Sequence, residues 1–139
     1  ETGLIEITDH FGGSDAGTIM NPRAAYNQMT SFFAGLDVAI REETVWDKWD
    51  NKVLNPNLIE YKARTFNEAP PHDHVCLEST KGRESDFPFG AMGIGEPIIS
   101  PSGPAITMAV YNACGIELEE YPYLPAKVLA ALKEKEDRA

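Results

Sequence analysis

Gly90-Ala91-Met92-Gly93-Ile94-Gly95-Glu96-Pro97 is the stretch around which the remaining sequence is arranged. Its closely spaced glycines leave a backbone free to bend sharply and to approach a ligand. Few side chains stand there, so the carboxylate of Glu96 is expected at the tip of a loop. Pro97 fixes its own φ and biases Glu96 towards extended geometry. The stretch has neither the GK[ST] of a phosphate loop nor the GxGxxG of a dinucleotide fold. Next comes Pro101-Ser102-Gly103-Pro104, and then Ala105 to Ala113 reads as a helix of small residues ending at Gly115, a good residue to close a helix. A glutamate held just before such a helix is placed where a polar site can be built.

Working towards the N-terminus, Leu4 to Thr8 alternates as a strand does, and His10 to Gly17 reads as a loop. Asn21-Pro22 pairs a capping side chain with a proline at the first helical position. The helix it opens is expected to run through Arg41, with Tyr26, Met29, Phe33, Leu36 and Ile40 as its buried stripe. Thr44 to Trp46 and Val53-Leu54 flank a hairpin-like turn, Asp47 to Lys52. Pro70-Pro71 interrupts the chain before a strand over His74 to Glu78, and Thr80 to Pro88 reads as a mobile loop. After the glycine stretch, Pro125 starts a last helix through Lys133, followed by a charged tail from Glu134 to Ala139. Short strands and about three helices without strict alternation predict an α+β fold, as one domain over residues 1–139.

The chain has 139 residues and a net charge of −10. That balance lacks the basic footprint of a nucleic-acid surface and disfavours anionic membranes. No run of apolar residues is long enough to span a bilayer. Cys76 and Cys114 lack any zinc or redox spacing and are expected reduced and buried, in a cytoplasmic protein. His72 and His74 form an HxH across a proline turn; on a strand the two would share a face and both could ligate a metal, but no third ligand has a clear spacing. No metal site is therefore assigned. The serines make no nucleophile elbow.

The motifs in order, GAMGIGEP, PSGPAITMAVYNACG and LPAKVLAAL, resemble the C-terminal end of the molybdenum-binding subunit in the xanthine dehydrogenase and aldehyde oxidoreductase family. Upstream, DAGTIMNP, a glutamine-bearing helix and LNPNLIEY follow in the family's order. The resemblance spans nearly the whole chain and about the last fifth of such a subunit, which implies that the chain is a piece of a longer one. It implies a molybdenum hydroxylase that adds a water-derived hydroxyl to an aldehyde or N-heterocycle. Glu96 is then the catalytic base, and partial burial would bring its pKa towards neutrality. Gln28, Gly93 and Gly95 are cofactor contacts, Gln28 through an amide that both donates and accepts.

The implied cofactors are the molybdenum-pterin group, with [2Fe-2S] clusters and FAD on other domains or subunits and none expected on the isolated chain. The implied partners are the rest of the subunit, the iron-sulfur and FAD subunits, and a small-molecule substrate. Apolar surface meant for those partners would promote self-association. Asn27 and Ser31 stand where the family usually has glycine, and Met92 where it has lysine. Those departures leave a second reading, a structural or assembly domain of such a subunit that has lost cofactor chemistry.

Overall fold

The computed structural model describes residues 2–83 and 85–138. Glu1 of the expected opening turn, Glu84 of the expected mobile loop and Ala139 of the expected tail lie outside the described residues. Strand β1 (His10–Asp15) is followed by helices α1 (Pro22–Met29) and α2 (Phe32–Ile40), strand β2 (His72–Leu77), and helices α3 (Ser102–Cys114) and α4 (Pro125–Arg138). The fold is α+β. The chain divides into two compact units, one of residues 1–6, 36–69 and 103–139 and one of residues 7–35 and 70–102.

The second unit is organised by a parallel β1–β2 pair with His10 opposite His72 and Asp15 opposite Leu77. The expected strand at Leu4 to Thr8 has no ladder partner. Pairing begins instead at His10, in the segment expected to be a loop. The sequence signal misled because a strand with Gly12 and Gly13 lacks the β-branched character that marks such runs. Strand β2 begins two residues before the expected start.

Asn21 caps α1 as expected, its side chain accepting the Ala24 N–H at 3.1 Å with Pro22 at the first turn. The single long helix is broken at Thr30-Ser31. There the N–H groups of Thr30, Ser31, Phe33 and Ala34 all bond three residues back rather than four, and the Thr30 hydroxyl takes the Asn27 carbonyl at 2.7 Å. A threonine and a serine in sequence offer the backbone such local alternatives to a continuous helix. The tightened turn rotates the buried stripe. Ala25, Met29, Phe32, Leu36, Ala39 and Ile40 are buried, whereas Tyr26 is exposed.

In the first unit the core residues are Leu36, Ala39, Ile40, Ile106, Val110, Ile116, Tyr123 and Val128. Helix α3 closes at Gly115, whose φ of +63° and N–H to Tyr111 O at 2.7 Å fit the expected helix end. Helix α4 runs on through the expected tail, adding Lys135 and Arg138 to a last turn that favours positive charge. Both cysteines are free and half-buried rather than fully buried. The hairpin survives as one antiparallel bridge between Trp46 and Val53. Asn55 secures it by accepting the Val45 N–H at 2.9 Å and donating to Glu43 O at 2.6 Å.

Beyond the hairpin, the excursion is fastened to α2 by a buried ion pair. Asp37 accepts the Arg64 N–H at 2.7 Å and its Nε–H at 2.9 Å, while Arg64 also donates to Glu68 O at 2.7 Å. Asp37 is only 3% exposed, so Arg64 is the partner that offsets the cost of burying it. Glu68 in turn bonds Arg41 and closes a capping box with Thr65. The Arg41 side chain, then the Thr65 N–H, hold its carboxyl at about 2.

Removing one member of the buried pair should be costly. Asp37→Ala is expected to destabilise the chain by about 3–5 kcal/mol, because it strands the Arg64 guanidinium. Urea unfolding monitored through Trp46 and Trp49 measures it. A loss below about 1 kcal/mol would show that the excursion is held by other contacts.

Candidate functional site

The site is assembled from the segments that leave the two strands. Beyond β1, Ala16 N–H bonds Leu77 O at 3.0 Å and the Asp15 carboxylate accepts Gly17 N–H at 2.9 Å and Ser79 N–H at 3.2 Å. Hydrogen bonds from Ser79 and then Gly17 keep the Asp15 carboxyl below its ordinary range. Beyond β2, Glu78 accepts Ile19 N–H at 3.2 Å. A third segment then crosses. Thr18 N–H bonds Gly90 O at 2.7 Å, Met92 N–H bonds Ala16 O at 2.8 Å, and the Thr80 hydroxyl donates to Gly90 O at 2.7 Å.

That crossing is possible only with glycines. Gly17 has φ +60° and Gly90 φ +66°. A Cβ on Gly17 would fall onto Gly90 O and Thr80 Oγ1, and one on Gly90 would lie 2.8 Å from Thr80 O and Thr18 Oγ1. Gly93 and Gly95 differ, since a Cβ on either meets nothing within 4 Å. No packing among the described residues explains why these two positions are bare.

Between α1 and the crossing lies a groove of about 380 Å³, bordered by Ala16, Met20, Gln28, Met92, Ile94 and Gly95 among others. It brings together two of the four residues singled out in the sequence, Gln28 and Gly95, and Glu96 follows directly. Gly93 lies in the same stretch without bordering the groove. Gln28 donates through Nε2 to the Ser31 hydroxyl at 3.1 Å. Its amide oxygen and second N–H have no partner among the described residues.

The N–H groups of residues 93–96 likewise make no hydrogen bond among the described residues. Glu96 opens a 3-10 turn, Glu96–Ile98, and its carbonyl takes Ile99 N–H at 2.9 Å. Its main chain is thereby fixed while its carboxylate is free of ion pairs and hydrogen bonds among the described residues. The partial burial expected of Glu96 is not found; the side chain is exposed. The turn is pressed against α2, where a Cβ on Gly35 would strike Ile99 O and lie 2.7 Å from Ser102 Cβ.

Sequence reasoning passed over Asp15, Gly17, Thr80 and Gly90 as site builders. Gly17 and Gly90 carried a signal in being glycines at the ends of the two motif runs. Thr80, inside a polar segment, carried none.

A glutamine amide with its oxygen and one N–H free, a run of free N–H groups and bare glycines suit a planar, hydrogen-bonding cofactor with anionic parts. The residues therefore fit a pterin-type group. The model of the molybdopterin cofactor-binding domain matches residues 1–70, half the chain. A probable hypoxanthine oxidase of Escherichia coli K12, XdhD, is 30% identical over 95% of this chain and 14% of its own length. The molybdenum-binding subunit PaoC of an aldehyde oxidoreductase from the same organism is 30% identical over 94% of this chain and 18% of its own. The solved aldehyde oxidoreductase of Desulfovibrio gigas superposes with a TM-score of 0.81 at 26% identity, covering 95% of this chain and 14% of that one.

The class is thus a molybdopterin cofactor-binding domain. Within it, the chain belongs to the molybdenum-binding subunits of the xanthine dehydrogenase and aldehyde oxidoreductase family. It spans less than a fifth of the length of these relatives.

The glycines separate into two kinds by experiment. Gly17→Ala is expected to cost at least about 2 kcal/mol, from a left-handed φ and a collision with backbone. Gly93→Ala is expected to stay within about 0.5 kcal/mol of the natural chain. Paired urea titrations check both, and equal losses would refute the distinction.

Proposed function

We propose that this chain supplies the general base and part of the cofactor contact of a molybdenum hydroxylase acting on an aldehyde or an N-heterocycle. The observation that carries this reading is the groove bordered by both Gln28 and Gly95, with the free carboxylate of Glu96 next in sequence. When bound, the molybdenum-pterin group supplies two-electron oxidation with water as the oxygen source, and electrons leave to [2Fe-2S] and FAD partners.

The chain's own residues have narrower tasks. Glu96 takes a proton from the attacking hydroxyl group through a carboxylate whose main chain is pinned by Ile99 and Ser100. Its exposure in this chain leaves it open to the substrate side. Gln28 presents an amide oxygen and an N–H to the edge of the pterin, oriented by Ser31. Residues 93–96 offer N–H groups to negative charge, and the bareness of Gly93 and Gly95 permits approach to the main chain. The relatives' substrates, named for hypoxanthine and aldehydes, support the substrate classes proposed. The two unpaired cysteines are in keeping with a reducing, cytoplasmic compartment.

One observation favours the second reading, of a structural or assembly domain. Ser31 engages the Gln28 amide that would otherwise be wholly free for a cofactor. The two readings separate in the parent enzyme expressed with its partner subunits. Glu96→Gln is expected to lower turnover about a hundred- to ten-thousand-fold with molybdenum content unchanged. Unchanged turnover in that variant would remove Glu96 as the base. Absence of molybdenum from the natural enzyme, made in a host that loads other family members, would favour the structural reading.

A further inference from the structure

The inward face of the β1–β2 pair carries three histidines that the proposed chemistry leaves unused. Register places His10 opposite His72 and Gly12 opposite His74. A Cβ on Gly12 would lie 3.1 Å from His10 Cε1 and 3.2 Å from His74 Cδ2, so the two imidazoles close over a bare position. The ring of His74 lies 5.8 Å from that of His10 and 5.2 Å from that of His72. Aromatic rings from the helices cover them. His10 lies flat on Phe32 at 3.6 Å, His74 meets the edges of Phe32 and Tyr26 at 5.1 and 5.8 Å, and His72 meets Phe33 at 5.2 Å.

Nδ1 of His10 and both ring nitrogens of His74 are buried without a hydrogen-bond partner. His72 Nδ1 lies 2.9 Å from Pro70 O, an arrangement in which it donates. The neighbouring carboxylates are Asp9 and Asp73, and each accepts the N–H of the next residue, His10 at 2.9 Å and His74 at 2.8 Å. Neither forms an ion pair with an imidazole among the described residues. Nor do three His, Cys, Asp or Glu side chains among the described residues come together to hold a metal ion.

We propose that His10 and His74, packed with His72, form an acid-released latch, which holds β1 to β2 while these two imidazoles are neutral and parts them when they gain protons. An imidazolium here would sit against apolar ring faces and beside other imidazoles, with Asp9 and Asp73 near but ion-paired to neither ring. The strands lead directly into the groove. Ala16 and Asp15 are tied to Leu77 and Ser79, and the Gly90 crossing rests on those ties. Opening the latch therefore frees Gln28 and residues 90–95 from their fixed arrangement, whatever group the groove holds.

The sign of the pH dependence follows from burial. Desolvation first, and then the neighbouring imidazoles, lower the pKa of His10 and His74 from 6.5. Asp9 and Asp73 oppose this only weakly. As pH falls through 6.5 the unfolded or opened chain takes up protons before the closed one does. Stability is thus complete above 6.5 and declines below it.

The experiment is backbone amide exchange of the 139-residue chain, followed at Thr18 and Met92, whose N–H groups bridge the crossing. After correction for intrinsic rates, protection of both is expected to drop by about tenfold between about pH 7.5 and about pH 5. In the double variant His10→Phe, His74→Leu the drop should vanish. A drop of equal size in the double variant, or none in the natural chain, overturns the latch. If the variant does not fold, NMR titration of the imidazoles in the natural chain decides. His10 and His74 titrating below the ordinary histidine value supports the latch, and titration at or above it overturns the latch.

Discussion

Two glycines passing within contact distance set the terms for the unit that carries the site. Gly17 and Gly90 cross with no room for a side chain on either, and Gly90 O accepts from both Thr18 N–H and the Thr80 hydroxyl. Three segments remote in sequence are thereby fixed through main-chain atoms. A backbone junction has little of the rotamer freedom that loosens a side-chain contact, so it holds position with small tolerance. The groove wall, the Gln28 helix and the Glu96 turn inherit their geometry from that junction.

The division of labour among the glycines is informative. One pair is bare because the chain itself needs the space. Gly93 and Gly95 are bare where nothing among the described residues comes near. The first pair concerns folding, and the second leaves room for the approach proposed above. Glu96 follows the second pair, with its main chain held and its carboxylate unengaged. That combination supports the role proposed for Glu96, since a base so held meets a substrate without first breaking an internal bond.

Much of this was legible in the residues. Asn21-Pro22 announced the start of α1, Gly115 the end of α3, and the order of motifs announced the family. Other features were not legible, for identifiable reasons. Strand β1 contains two glycines and pairs with a partner far along the chain, so no local pattern reports it. The break at Thr30-Ser31 depends on a hydroxyl choosing a nearby carbonyl, a preference too weak to outweigh a good apolar stripe in sequence. The burial expected of Glu96 rested on its neighbours being glycines, but glycines do not cover a side chain. His10 could not be joined to His72 and His74 until the register of the parallel pair was known.

That parallel pair has a kinetic consequence. All of residues 16–71 separate the end of β1 from the start of β2, and they include the segment 36–69 that belongs to the other compact unit. Strand pairing across such a distance bears a loop-closure cost before any ladder bond repays it, which slows folding. During synthesis β1 leaves the ribosome with its partner still unmade. Its Gly-Gly centre makes it a poor template for other strands in that interval. The weak local strand character that concealed β1 in the sequence would then serve to keep it from pairing before β2 arrives.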